Sequence, residues 1–197
     1  MLHLIRQYRL EQGALEVQYI EECFAEFENR KKSADQIIQR LGDREHLILI
    51  SMAPSEDGEG YYPVAFKVGH ELRAHESDPK LIELVDQLAE CVDFSAGKIF
   101  YSWLGATREP WRGQGHYRAL TEQQEEWAHL RGYQMLVVKT KNKFYPMRAA
   151  LDHLRFDILK FHADARDNRE SKVFLGKKIG SHVLRDHLTT RTVTECA

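Results

Sequence analysis

The sequence has little cysteine: Cys23, Cys91 and Cys196 are an odd number without metal-ligand spacing. That excludes a disulfide framework and a thiolate cluster, and it leaves reduced packing thiols, with Cys23 and Cys91 on apolar faces of predicted helices. Long apolar runs are missing too. The longest, such as Leu47 to Ala53, fall far short of the roughly 20 residues a bilayer requires. There is no charge excess, since a net charge of −2 and a pI near 6.6 give no global attraction to nucleic acid or to an anionic membrane. The opening Met1-Leu2-His3-Leu4-Ile5-Arg6 has no signal-peptide layout, so a cytoplasmic location is expected. Also absent are the Gly-x-x-x-x-Gly-Lys-Ser/Thr loop of nucleotide hydrolysis and the full Gly-x-Gly-x-x-Gly of dinucleotide binding. The ten histidines show no paired ligand spacing on one predicted face, so no metal is expected.

What is present is the make-up of a single globular domain over residues 1–197, with 43% hydrophobic and 29% charged residues. Leu2 to Leu10 reads as a first strand, and Val17, Ile20, Phe24 and Phe27 give an amphipathic helix within Gln12 to Asn29. Ser33 with Gln36 has capping-box form and starts a short helix that Gly42 stops. Leu47 to Ile50 and Val64 to Leu72 are strands, the second starting at Pro63, with Val64, Phe66 and Val68 buried and Ala65, Lys67 and Gly69 on a partly solvated face. Asp78-Pro79 caps a helix carrying Leu81, Leu84, Val85, Leu88 and Val92 inside an insertion at 76–97. A central strand, Ile99 to Ala106, leads to a helix from Gly115 to Arg131, whose solvent face is read as Glu122, Gln123, Glu125 and Glu126. A strand over Met135 to Thr140, a short helix from Met147, strands near Phe156 to Phe161 and Lys172 to Leu175, and a last helix over Gly180 to Leu188 complete the order. The class is α/β: a mixed, twisted sheet with helices on both faces.

Between the central strand and its helix lies Thr107-Arg108-Glu109-Pro110-Trp111-Arg112-Gly113-Gln114-Gly115-His116-Tyr117. A helix start offers unpaired N–H groups and a positive dipole end. Gly113 and Gly115 let a diphosphate approach the backbone, and Arg112 adds a fixed charge, so the chemistry points to an anion site. An ordinary strand-to-helix turn also wants glycine.

The order Arg-Gly-Gln-Gly at the opening of a helix resembles motif A of the GNAT superfamily of N-acetyltransferases: Arg or Gln, two residues, Gly, one residue, then Gly or Ala. Arg112 and Gly115 match the first two fixed positions, and Tyr117 departs from the last. The Met135 strand ending near Asn142 agrees with the family, as does a helix closing on Leu154-Arg155-Phe156. There Arg155 stands where the family usually has glycine.

The resemblance implies acetyl-CoA as co-substrate, with Leu104, Gly105, Ala106 and Thr107 along the pantetheine arm. Arg112, Gly113, Gln114, Gly115, His116 and Tyr117 would hold the diphosphate, and Asn142 would lie on the far side of the splayed strands. It implies direct transfer to a primary amine of a small molecule or peptide, and it allows a homodimer. Where relatives carry a tyrosine acid the chain has Leu151, which leaves Tyr145, Tyr101, His153 and Glu109 as candidate proton carriers. A non-catalytic CoA-binding regulatory module is the alternative. Tyr61, Tyr62, Tyr101 and Trp103 are read either as an acceptor wall or as core.

Overall fold

In the computed structural model, residues 3–10, 15–24, 32–55 and 57–187 are described. The elements run β1 (Leu4–Tyr8), α1 (Leu15–Phe24), α2 (Ala34–Leu41), β2 (His46–Pro54), β3 (Tyr61–Leu72), α3 (Pro79–Leu88), β4 (Lys98–Thr107), α4 (His116–Leu130), β5 (Tyr133–Lys141), α5 (Tyr145–His153), β6 (Asp157–His162) and β7 (Lys172–Lys178), with a last helix, α6, over 181–187. The strands form one sheet in the order β1-β2-β3-β4-β5-β7-β6. The sheet is mixed: β4 and β5 are parallel, whereas β1–β2, β2–β3, β5–β7 and β6–β7 are antiparallel. The expected neighbours, the central strand and the Met135 strand, pair from Lys98 opposite Tyr133 to Tyr101 opposite Val137. Among the described residues, no helix is long and apolar enough to cross a membrane.

By packing, the chain divides into two compact units, residues 1–70 with 103–124 and residues 71–102 with 125–197. In the first unit, Ile48, Ile50 and Met52 of β2 and Phe66 and Val68 of β3 meet Val17, Ile20 and Cys23 of α1 and Ile37 and Leu41 of α2. Burying each large aliphatic side chain contributes about 1.5–3 kcal/mol. The capping box forms as read, with Ser33 Oγ accepting from Gln36 N–H at 3.2 Å, which fixes the entry of α2. Trp103 and Leu104, consecutive in β4, both pack against this cluster, so strict in–out alternation breaks there.

Two strand readings are corrected here. β3 begins at Tyr61, and Pro63 lies inside it opposite Met52, at a register shift that follows the Ser51–Ala65 pair; a proline lacking N–H is tolerated at such an irregularity. The second face of β3 is not solvated either: Ala65 is 0% and Lys67 1% exposed. Small neighbours on both sides of Lys67 let α4 lie close to the strand, which covers the lysine.

In the second unit, α3 starts at Asp78, whose carboxylate accepts from Lys80 and Leu81 N–H at 2.7 and 3.3 Å. It is fastened to β6 and β7: Glu83 to Lys172 at 2.6 Å and Glu90 to Lys160 at 3.0 Å. Cys91 is exposed rather than packed, because α3 ends at Leu88; its thiol donates to Leu159 O at 3.3 Å. Cys23 is buried, and Cys196 lies outside the described residues.

Glu125 is also corrected. It is 0% exposed, and its Oε2 accepts from Lys177 Nζ and meets His187 Nε2, both at 2.8 Å. On the helical period Glu125 shares the buried side with Ala128, and its charge is tolerated because β7 and α6 bring nitrogen partners to it. Glu122 is 8% exposed and pairs with Arg118 at 2.8 Å, one turn away.

Arg155 takes φ +62°, and this explains the glycine that the resemblance led one to expect. Phe156 N–H donates to Leu151 O at 3.0 Å and Arg155 N–H to Asp152 O at 2.8 Å, the paired bonds of a left-handed helix stop. Arginine occupies the left-handed position at a cost in strain.

Candidate functional site

The loop after β4 lies in the first unit, together with the upper half of the strand and the first half of α4. Its last tie to the sheet is Arg108 N–H to Val64 O at 2.9 Å. Glu109-Pro110-Trp111 then form one 3-10 turn, after which Gly113 and Gly115 adopt φ +76° and +85°. Only glycine takes such angles cheaply, so both positions are set by the backbone path.

Several of the loop's carbonyls are taken up, whereas a run of its donors is not. Thr107 O accepts from Arg112 Nε at 3.2 Å, Pro110 O from Gln114 Nε2 at 3.0 Å, and Gly115 O from Ala119 N–H at 3.0 Å. Gln114 O is held by His3 Nε2 at 2.9 Å. By contrast, the N–H groups of Gly113, Gln114, Gly115 and His116 find no acceptor among the described residues. Residues 112–115 are exposed, and they end at the positive end of the α4 dipole. An anion is the complement of this surface.

His116 opens α4 but faces inward, 6% exposed, with Nδ1 2.9 Å from Ser51 Oγ. Burial, and then the neighbouring His3, push its pKa below the ordinary value, so it is a neutral hydrogen-bonding group near neutral pH. His3 meets it edge to face with ring centres 4.5 Å apart, and Trp111 meets it edge to face at 5.8 Å. Trp111 in turn meets Tyr62 at 5.7 Å.

Tyr117, the departure from the motif, lies against β3 and β4. A Cβ placed on Gly105 would lie 3.7 Å from the Tyr117 ring and 3.7 Å from Lys67 Cγ, ordinary contact distances that put the ring next to β4. Lys67 Nζ lies 4.3 Å from the ring centre and donates to Thr121 Oγ1 at 2.8 Å, while Thr121 Oγ1 donates to Tyr117 O at 2.7 Å. This buried polar knot fastens the first turns of α4 to β3.

All the residues expected along the cofactor from Leu104 to Tyr117 therefore occupy one unit, whereas Asn142 lies in the other. The Asn142 side chain is occupied: Nδ2 donates to Asn168 O at 3.0 Å and Oδ1 accepts from Arg148. Among the candidate proton carriers, Tyr101 is 7% exposed on β4 and Tyr145 is 58% exposed at the start of α5. His153 is exposed at the far end of α5, two helical turns and about 12 Å along the axis from Tyr145. Glu109 is exposed in the 3-10 turn, and Leu151 is fully buried. In the β6–β7 turn, the Lys141 and Lys143 ammonium groups hold the Glu170 carboxyl at about 2. Sequence reasoning missed His3, Ser51, Lys67 and Thr121. Only Lys67 left a signal, a long cation between the small residues Ala65 and Gly69.

No family model matches the chain, and no curated protein sequence matches it. Solved structures do. Arabidopsis thaliana NAA60 in complex with acetyl-CoA aligns with TM-score 0.67 at 10% identity, over 90% of this chain and 99% of that one. The ribosomal-protein-S18-alanine N-acetyltransferase of Escherichia coli aligns with TM-score 0.60 at 15% identity, over 91% and 95%. A phosphinothricin acetyltransferase of Sinorhizobium meliloti in complex with AcCoA aligns with TM-score 0.63 at 12% identity, over 91% and 90%.

Proposed function

We propose that this chain, which has the fold of the GNAT N-acetyltransferases, is an acetyl-CoA-dependent N-acetyltransferase acting on a primary amine. The observation that carries the reading is the set of four loop N–H groups without acceptors at the start of α4. A diphosphate supplies several anionic oxygens, and such a loop takes them without side-chain rearrangement. Gly113, Gln114, Gly115 and His116 bind through their backbone, Arg112 adds charge, and Leu104, Gly105, Ala106 and Thr107 line the arm. Asn142 is carried into this reading by the family resemblance alone, its side chain being held by Arg148 and Asn168.

The bound cofactor supplies an activated acetyl thioester. The amine attacks its carbonyl carbon, so a C–N bond forms, the C–S bond breaks with its electron pair going to sulfur, and the amine proton leaves to solvent or to a side chain. Backbone N–H groups near Leu104 to Ala106 would supply donors to the developing oxyanion. Tyr101, Tyr145, His153 and Glu109 are the candidates to carry the proton, and replacing them singly with Phe, Phe, Gln and Gln ranks them by loss of kcat. No cysteine enters the reaction, so initial rates should follow a ternary-complex pattern; ping-pong kinetics would contradict direct transfer.

The acceptor panel should hold both peptide and small-molecule amines, since one matched protein is named for an alanine of ribosomal protein S18 and another for phosphinothricin. Thiol release from acetyl-CoA is the assay. Gly115→Val combines a strained backbone with a Cβ 3.4 Å from the His3 ring, and it should weaken CoA at least tenfold, about 1.4 kcal/mol. Unchanged CoA binding by a folded Gly115→Val variant would remove the basis of the reading. The buried Leu151 in place of the family's acid favours a second reading, a module that binds CoA without turnover. Tight CoA binding with no thiol release across the panel would select it.

A further inference from the structure

We propose that His3, in the segment leading into β1, is a positioning residue that locks one peptide of the loop in its anion-binding orientation. This rests on the reading of the loop as a CoA cradle. The contact is specific: a carbonyl oxygen can only accept, so Nε2 of His3 carries the hydrogen that Gln114 O receives at 2.9 Å. The ring also lies against the loop, with Cε1 3.4 Å from where a Cβ on Gly115 would stand, and edge to face with His116 at 4.5 Å.

The consequence follows from peptide geometry. Gln114 C=O and Gly115 N–H belong to one planar unit and point in opposite directions. Holding the oxygen on the His3 side therefore turns the Gly115 N–H away from that side, where it finds no acceptor among the described residues. The lock matters because the peptide is bordered by Gly115 at φ +85° and closely preceded by Gly113 at φ +76°, residues with little intrinsic preference against a flipped unit. A flipped peptide would turn a carbonyl oxygen toward the diphosphate and withdraw a donor. In a regular helix Gln114 O would be taken by Arg118 N–H, one turn on; the imidazole takes it instead.

The test compares CoA with pantetheine, which lacks the diphosphate, by calorimetry and by competition. His3→Ala should weaken CoA about three- to tenfold, the worth of one hydrogen bond, and leave pantetheine unchanged. His3→Phe keeps the ring against Gly115 but cannot donate, and it should behave like His3→Ala. His3→Gln restores a donor and should recover most of the affinity. Equal loss of CoA and pantetheine affinity, or full CoA affinity in His3→Phe, overturns the inference while the cradle reading stands. A wild-type chain that does not bind CoA overturns both.

Discussion

Replacing Arg155 with glycine and, separately, with alanine measures what the left-handed stop of α5 costs. At φ +62° a Cβ crowds the following carbonyl, a strain of about 1–2 kcal/mol. Glycine removes that strain but adds backbone entropy to the unfolded chain, an offset of about 0.5–1 kcal/mol. Arg155 also pairs with Asp186 at 3.0 Å, but with side chains 74% and 36% exposed, and solvent screening leaves this pair about 0.5 kcal/mol or less. Both variants lose the pair, so their difference isolates the Cβ. Glycine should exceed alanine by about 0.5–1 kcal/mol, seen as a higher urea midpoint at unchanged slope and a melting point higher by roughly 1–4 °C. CoA affinity should be the same in both, since residue 155 makes no hydrogen bond to the loop among the described residues. If alanine is more stable than glycine by the full entropic offset of about 0.5–1 kcal/mol, position 155 is unstrained in solution and its likeness to the family's glycine has no physical content.

Three further outcomes are expected. Gln124 is fully buried with neither amide atom bonded among the described residues, so Gln124→Met should raise unfolding stability by about 1 kcal/mol; a loss would show that the amide is satisfied in solution. Lys177→Met leaves Glu125 as a buried carboxylate short of a partner, its Oε1 already unbonded, and should cost about 3–5 kcal/mol by denaturant melts, while adding Glu125→Gln should recover much of it. His116 has its pKa lowered in the folded protein, so the unfolded chain takes up its proton first. Its contribution is present above its ordinary 6.5 and is lost as the pH falls through the lower folded value. Between pH 7 and 5, His116→Asn should therefore lose stability less steeply than the wild type, and parallel curves would contradict the burial argument.

The sequence by itself determined the order of elements, the caps at Ser33 and Asp78 and the two glycines of the loop, because these depend on neighbours within one turn. Periodicity and turn chemistry are local, and they survive whatever the chain later packs against. Tertiary structure decided the polar interior. Glu125 and Lys67 look like solvated groups in sequence and His116 like a phosphate contact, yet all three side chains are buried beside partners distant in the chain: Lys177 and His187, Thr121, and Ser51. Tyr117 breaks the motif when read alone, and in the fold its ring is met by the Lys67 ammonium. Arg155 is the intermediate case, since the helix stop was legible in the sequence but its left-handed angle was not. A charged or bulky side chain carries no mark of the strand that will cover it; that depends on which segments the sheet brings side by side.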